Sequence, residues 1–93
     1  MDENQKPIVD PAYTVEKFDG EILLYTETRT QAVYLNDAAY AVWELCKEDL
    51  TVGEIVDYLK KLYPNQKAQI QDDVFGALQT LEENSVIRLS NVG

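Results

Sequence analysis

The segment YTVEKFDGEILLYTETRTQAVYL, residues 13–35, decides the fold because it contains three β-strand patterns separated by two turns. Residues 13–18 alternate strand-forming and polar side chains. Asp19-Gly20 comes next, and this pair is typical of a two-residue hairpin because glycine accepts positive φ angles. Residues 21–26 are apolar on both faces, which indicates a central strand. Residues 30–35 then complete a predicted three-stranded antiparallel meander.

Amphipathic patterns after the third strand predict three helices. Asn36 is a good N-cap for the first helix, and Thr51 begins the second through a capping box. Pro64 ends the second helix. The third helix is expected from about Ala68 to Glu83, with a short extended segment at residues 86–89. The helices would cover one face of the meander.

A chain of 93 residues has room for one domain. Residues 1–11 are polar, contain two prolines and lack periodicity, so we expect a flexible N-terminal arm. Residues 12–90 form the single expected domain. Its class is α+β, a three-stranded antiparallel meander followed by three helices. Three helices with a β-hairpin are also the outline of a winged helix, so the fold alone does not assign a function.

Composition argues against several classes of function. Acidic residues outnumber basic ones 17 to 8, and the net charge of −9 disfavours nucleic-acid and membrane partners. The chain has no histidine, the usual base at neutral pH, and its glycines are too scattered for a phosphate-binding loop. Its one cysteine, Cys46, allows neither an internal disulfide nor a thiolate metal cluster. We therefore expect a cytoplasmic protein that is not an enzyme and binds no cofactor or metal.

The third predicted strand is the first candidate for a binding surface. In a meander it is an edge strand, and residues 30–35 contain neither lysine nor proline, which often protect such edges. One interpretation is that an extended peptide docks there by strand addition. The other is that the C-terminal tail or a second copy of the chain covers the edge. The sequence leaves both open.

Phe75 in the third helix is the second candidate. At helical pitch it lies about 115° from the centre of the apolar stripe, and Gly76 beside it leaves a gap in the side-chain cover. Phe75 is therefore either one wall of a peptide groove or part of a wide core stripe.

Four stretches, in this order and spacing, resemble the PqqD family: DGEILLY at 19–25, YLNDAAYAVWEL at 34–45, LTVGEIV at 50–56, and the segment from DDV at 72–74 to the VI pair at 86–87. The resemblance extends over roughly residues 12–89. It implies a RiPP recognition element, a chaperone that binds the leader segment of a ribosomally made precursor peptide. It also implies a separate modifying enzyme as partner, either a radical SAM enzyme or a leader protease.

The resemblance further implies where the leader binds. In the family the leader adds as a strand to the third strand and packs against the third helix. The strand side of that site would be Thr30, Gln31, Ala32, Val33 and Tyr34. The helix side would be Asp72, Phe75, Gly76 and Gln79. No catalytic residue or metal ligand is implied.

A winged-helix DNA-binding regulator is the alternative from another class. Its recognition helix would be the third, yet the stretch from Ile70 to Leu81 contains no arginine or lysine. Together with the net charge of −9, this absence argues against DNA binding.

Overall fold

A computed structural model describes residues 1–30 and 32–91 and has the predicted α+β class. Its strands are β1 (Lys6–Val9), β2 (Thr14–Phe18), β3 (Glu21–Tyr25), β4 (Val33–Leu35) and β5 (Ile87–Ser90). Its helices are α1 (Asp37–Cys46), α2 (Val52–Leu62) and α3 (Lys67–Glu83), with a short 3-10 turn at Pro64–Gln66. The predicted meander of three strands followed by three helices is confirmed.

The meander has the order β2-β3-β4, and both strand pairs are antiparallel. Asp19 and Gly20 form the first turn with φ angles of 52° and 79°. Positive φ at both positions is the geometry of a type I′ turn, whose twist matches the flanking strands. The DG hairpin prediction is therefore confirmed.

The strand that carries the predicted binding edge is shorter than expected. We predicted residues 30–35, whereas β4 spans Val33–Leu35. Thr30 lies in a bend and Ala32 precedes the strand, while Gln31 lies outside the described residues. The ladder to β3 begins at Val33, the first residue here whose side chain enters the core. Strand-forming composition extended the prediction beyond the residues that pair.

The N-terminal segment differs most from expectation, since the arm predicted over residues 1–11 contains β1. β1 pairs antiparallel with β5, with Pro7 opposite Leu89. Proline is tolerated because β1 is an edge strand. Backbone carbonyls of the segment also accept hydrogen bonds from α2: the Val52 N–H donates to the Gln5 carbonyl oxygen at 2.8 Å. Because β1 forms by pairing with residues near the other end of the chain, its own sequence shows no local periodicity.

The helices place their apolar faces in one shared core with the inner face of the meander. α3 packs against both α1 and α2. Caps start two helices as predicted: Asn36 Oδ1 accepts the Ala39 N–H at 2.8 Å, and Thr51 forms the capping box with Glu54. The largest fully buried side chains are Leu24, Val42, Val52, Ile55, Val56, Val74, Leu78, Leu81 and Val86.

No helix within residues 1–30 and 32–91 combines the length and the apolar character needed to cross a bilayer.

Candidate functional site

β4 is an edge strand, because the C-terminal strand that could have covered it pairs elsewhere. β5 lies against β1 in a separate two-stranded ribbon. In the described part of the chain, no strand pairs with the outer side of β4. β2 is the other edge of the meander, but it contains Lys17, a residue typical of protected edges. The unprotected edge of the sheet is therefore β4.

The hairpin determines which β3 residues bond β4. Phe18 and Glu21 close the two-residue turn, so this pair exchanges both of its backbone hydrogen bonds. The direction of backbone hydrogen bonding alternates along a strand, so Leu23, two residues after Glu21, also bonds β2. Ile22 and Leu24 must then direct their N–H and C=O groups toward β4.

The register transfers this alternation to β4. Ile22 pairs with Leu35, and Leu24 pairs with Val33. Val33 and Leu35 therefore bond inward to β3, while Tyr34 between them directs its N–H and C=O outward. Side chains agree with this arrangement, since Val33 and Leu35 are 9% and 7% exposed and Tyr34 is 65% exposed. Among residues 1–30 and 32–91, the backbone donor and acceptor of Tyr34 therefore have no partner strand at this edge.

A cleft of about 500 Å³ lies beside this edge, between the β4–α1 junction and α3. We call it the α3 cleft. Small residues form much of its wall, and a β-carbon added at Gly76 would meet no atom within 4 Å. The lining residues are Tyr34, Leu35, Asn36, Ala38, Ala39, Asp72, Asp73, Gly76, Ala77 and Thr80.

A second cleft of about 380 Å³ adjoins the other end of β4. We call it the Arg29 cleft, and its lining residues are Thr28, Arg29, Thr30, Ala32, Val33 and Asn84. Asn84 lies about one helical turn beyond Thr80 of the α3 cleft. The two clefts therefore follow one another along β4 and α3, and we refer to the two together as the groove.

Six of the nine predicted site residues line this groove. The α3 cleft contains Tyr34, Asp72 and Gly76, and the Arg29 cleft contains Thr30, Ala32 and Val33. Gln31 lies outside the described residues. Phe75 and Gln79 line neither cleft.

Phe75 lies on a different side of α3 from the α3 cleft. It is half-buried and packs against the core. Ala77, which lines the cleft, is two residues away and therefore about 160° around the helix axis. The core stripe of α3 lies between them. The structure thus gives Phe75 the packing of a wide core stripe, while a role for it in binding stays a prediction.

Sequence reasoning missed the other residues of the helix wall. Asp73, Ala77 and Thr80 line the α3 cleft at spacings of four and three residues, which places them on one face of α3. The signal was present as a polar and small-residue stripe beside the apolar one. The wall from α1, including Ala38 and Ala39, depends on how α1 packs against α3 and had no local signal.

The chemistry of the described residues favours main-chain recognition. They contain no cluster of three or more His, Cys, Asp or Glu side chains arranged to hold a metal ion. Burial raises the pKa of the Cys46 thiol to about 12, so the thiolate nucleophile is scarce at neutral pH. An extended segment placed at Tyr34 would instead find hydrogen-bond partners and a groove for alternate side chains.

Comparison with known proteins gives one family and one fold. The family model described as coenzyme PQQ synthesis protein D (PqqD) matches residues 21–87. No curated protein matches the chain. A solved structure, described as TbiB1 in complex with the TbiA(beta) leader peptide, has a similar fold: the TM-score is 0.70 at 20% identity, over 87% of this chain and 94% of that chain. Since the family model spans well over half of its residues, the chain belongs to the PqqD family.

Proposed function

We propose that this chain is a RiPP recognition element without catalytic activity of its own. It binds the leader segment of a ribosomally made precursor peptide as an added strand on β4, in the groove beside α3. The observation that carries the proposal is the outward N–H and C=O of Tyr34 next to the groove.

Backbone energetics support an added strand. The outer groups of β4 have no partner strand in the described residues, and an extended peptide would pair them. β4 contains no lysine or proline that would resist such pairing. The α3 cleft then gives every second peptide side chain a place beside Gly76 and Ala77.

The comparisons support a leader peptide as the ligand. The chain belongs to the PqqD family, and the TbiB1 structure, similar in fold, contains a leader peptide. Function then follows from tethering, because holding the leader raises the effective concentration of the rest of the precursor at the enzyme. The enzyme is a separate polypeptide of the cytoplasm, either a radical SAM enzyme or a leader protease.

The test is a titration with the synthetic leader segment of any short precursor peptide that is encoded beside this gene. We expect a Kd between about 1 nM and 1 µM, which weakens only moderately with salt. Tyr34→Pro removes the outward donor and should weaken binding at least about tenfold while the protein stays folded. Tyr34→Ala keeps the donor and serves as the side-chain control.

Lys17→Pro is the matched control on the other edge. Lys17 lies between Phe18 and Glu16, which bond β3, so its N–H also points outward, but from β2. This variant should bind the peptide as well as the wild type does. Tight binding of duplex DNA without peptide binding would contradict the proposal, as would full affinity in folded Tyr34→Pro.

A further inference from the structure

The groove carries charges of opposite sign at its two ends. Asp72 and Asp73 are the charged residues of the α3 cleft, and Arg29 is the charged residue of the other cleft. Both carboxylates are exposed. The salt bridges within the described residues, Lys6–Asp49 and Lys47–Glu44, involve neither of them. One end of the groove is therefore acidic and the other is basic.

One hydrogen bond holds the Arg29 side chain at the basic end of the groove. Its Nη1 donates to the Asn84 carbonyl at 2.9 Å, and its side chain is exposed. A guanidinium has five N–H donors, and the bond to Asn84 uses one of them, so within the described part of the chain several can meet a carboxylate. The bond to the end of α3 holds this cation at the groove.

Strand geometry determines which peptide side chains meet these charges. A peptide residue that hydrogen-bonds Tyr34 has its side chain on the outer face, as Tyr34 has. Its two neighbours point the opposite way, toward the groove. Groove-facing positions therefore recur every second residue of the peptide.

The length of the groove sets their separation. Asp72 and Asn84 are twelve residues apart on α3 and at its end, which corresponds to about 18 Å. An extended chain covers about 3.3 Å per residue, so the two ends are between five and six residues apart. Since only every second residue faces the groove, the allowed separations nearest this value are about four or six residues.

We infer that the groove recognises a dipolar extended segment, with Lys or Arg at the Asp72–Asp73 end and Asp or Glu four or six residues away at the Arg29 end. Antiparallel addition, the orientation of both existing pairs in the meander, runs the peptide from Leu35 toward Thr30. The cationic residue is then the N-terminal one. The charges set the register and direction of the peptide more than its affinity. The inference rests on the proposed strand addition.

A display library of random dodecapeptides, selected on the full chain at low salt, tests this inference. We expect enriched peptides to contain Lys or Arg followed, four or six positions later, by Asp or Glu. The double variant Asp72→Asn/Asp73→Asn should abolish only the cationic preference, and Arg29→Gln only the acidic one. Each change should lower affinity for a selected peptide about two- to fivefold, less at high salt.

Asp57→Asn is the matched control, because Asp57 is an exposed acid on α2 that lines neither cleft. It should leave both preferences unchanged. Peptides that are lost with Tyr34→Pro but show no paired charges would overturn the inference and leave strand addition standing. The reversed order, acid before base, would also overturn it. Selection of no peptide that depends on Tyr34 would remove the proposed function itself.

Discussion

Two regions of the molecule could pair with the C-terminal strand β5, the outer edge of β4 and the N-terminal segment, and β5 pairs with the second. β5 is paired along four residues by β1, a strand that contains Pro7. β4 pairs with β3, and its outer side has no partner strand in the described residues. The sequence left open that the tail covers β4, whereas the tail pairs with the N-terminal segment. Whether a strand edge is paired thus depends on which other segments pack nearby. The edge left open here, that of β4, lies beside the groove.

Proline at neighbouring positions of β4 gives the largest expected contrast. Val33→Pro removes an inward ladder bond and a buried side chain, so it should cost about 3 kcal/mol or more of unfolding free energy. Tyr34→Pro removes only an outward donor and should cost well under half as much. Chemical denaturation of both variants measures this. Equal losses would mean that our bonding direction along β4 is wrong.

Removing β1, the strand that pairs with β5, should cause the next largest loss of stability. Deletion of residues 1–10 takes away β1 and the two carbonyls, of Glu3 and Gln5, that accept N–H groups at the start of α2. We expect a loss of about 2–4 kcal/mol from these hydrogen bonds and the exposed apolar surface. The melting temperature should fall, while peptide affinity at β4 measured below it stays within about threefold. A parallel loss of affinity would show that the two edges are coupled.

The pH dependence of stability tests the burial of Cys46, which lies beside the N-terminal segment. The thiol borders the same cavity as Pro7 and Val9, and its pKa of about 12 in the folded protein lies above the unfolded value of 9.0. The unfolded state therefore loses its proton first as pH rises. Stability should be unaffected below pH 9 and should then fall by about 1.4 kcal/mol per pH unit toward pH 12. Denaturation in this range, with Cys46→Ala as the reference, isolates the thiol; an unchanged slope in that variant would contradict burial as the cause.

Alanine substitutions at two glycines, Gly76 and Gly53, should have the smallest effects on stability. Gly76 faces the open cleft, so Gly76→Ala should stabilise α3 by about 0.5–1 kcal/mol. Gly53 lies under the N-terminal segment, where an added β-carbon would be 3.3 Å from the Glu3 oxygen. Gly53→Ala should therefore give no gain. Denaturation midpoints measure both, and a larger gain for Gly53→Ala would place the N-terminal segment elsewhere. The methyl at residue 76 should also weaken peptide binding.

Local patterns were sufficient for most of the fold. The DG turn, the alternation in residues 13–18 and the caps at Asn36 and Thr51 each act within a few residues, so their signals are in the sequence. The groove was predicted only in part. Asp72 and Gly76 were identified, but Asp73, Ala77 and Thr80 were not, because the prediction followed the side of α3 that carries Phe75.

By itself, then, the sequence determined the element types of the meander and of the three helices, the capped helix starts, the acidic charge and the candidate edge strand, since these depend on neighbouring residues. Only the tertiary structure decided that β1 pairs with β5 and leaves β4 open, because that choice joins residues at opposite ends of the chain. It also decided that the N–H and C=O of Tyr34 point outward, which follows from the register between β3 and β4. Finally, the packing of α1 on α3 placed Asp72 and Asp73 in one cleft, and the hydrogen bond from Arg29 to the Asn84 carbonyl placed Arg29 in the other. Such placements arise from long-range packing and leave no local pattern in the chain.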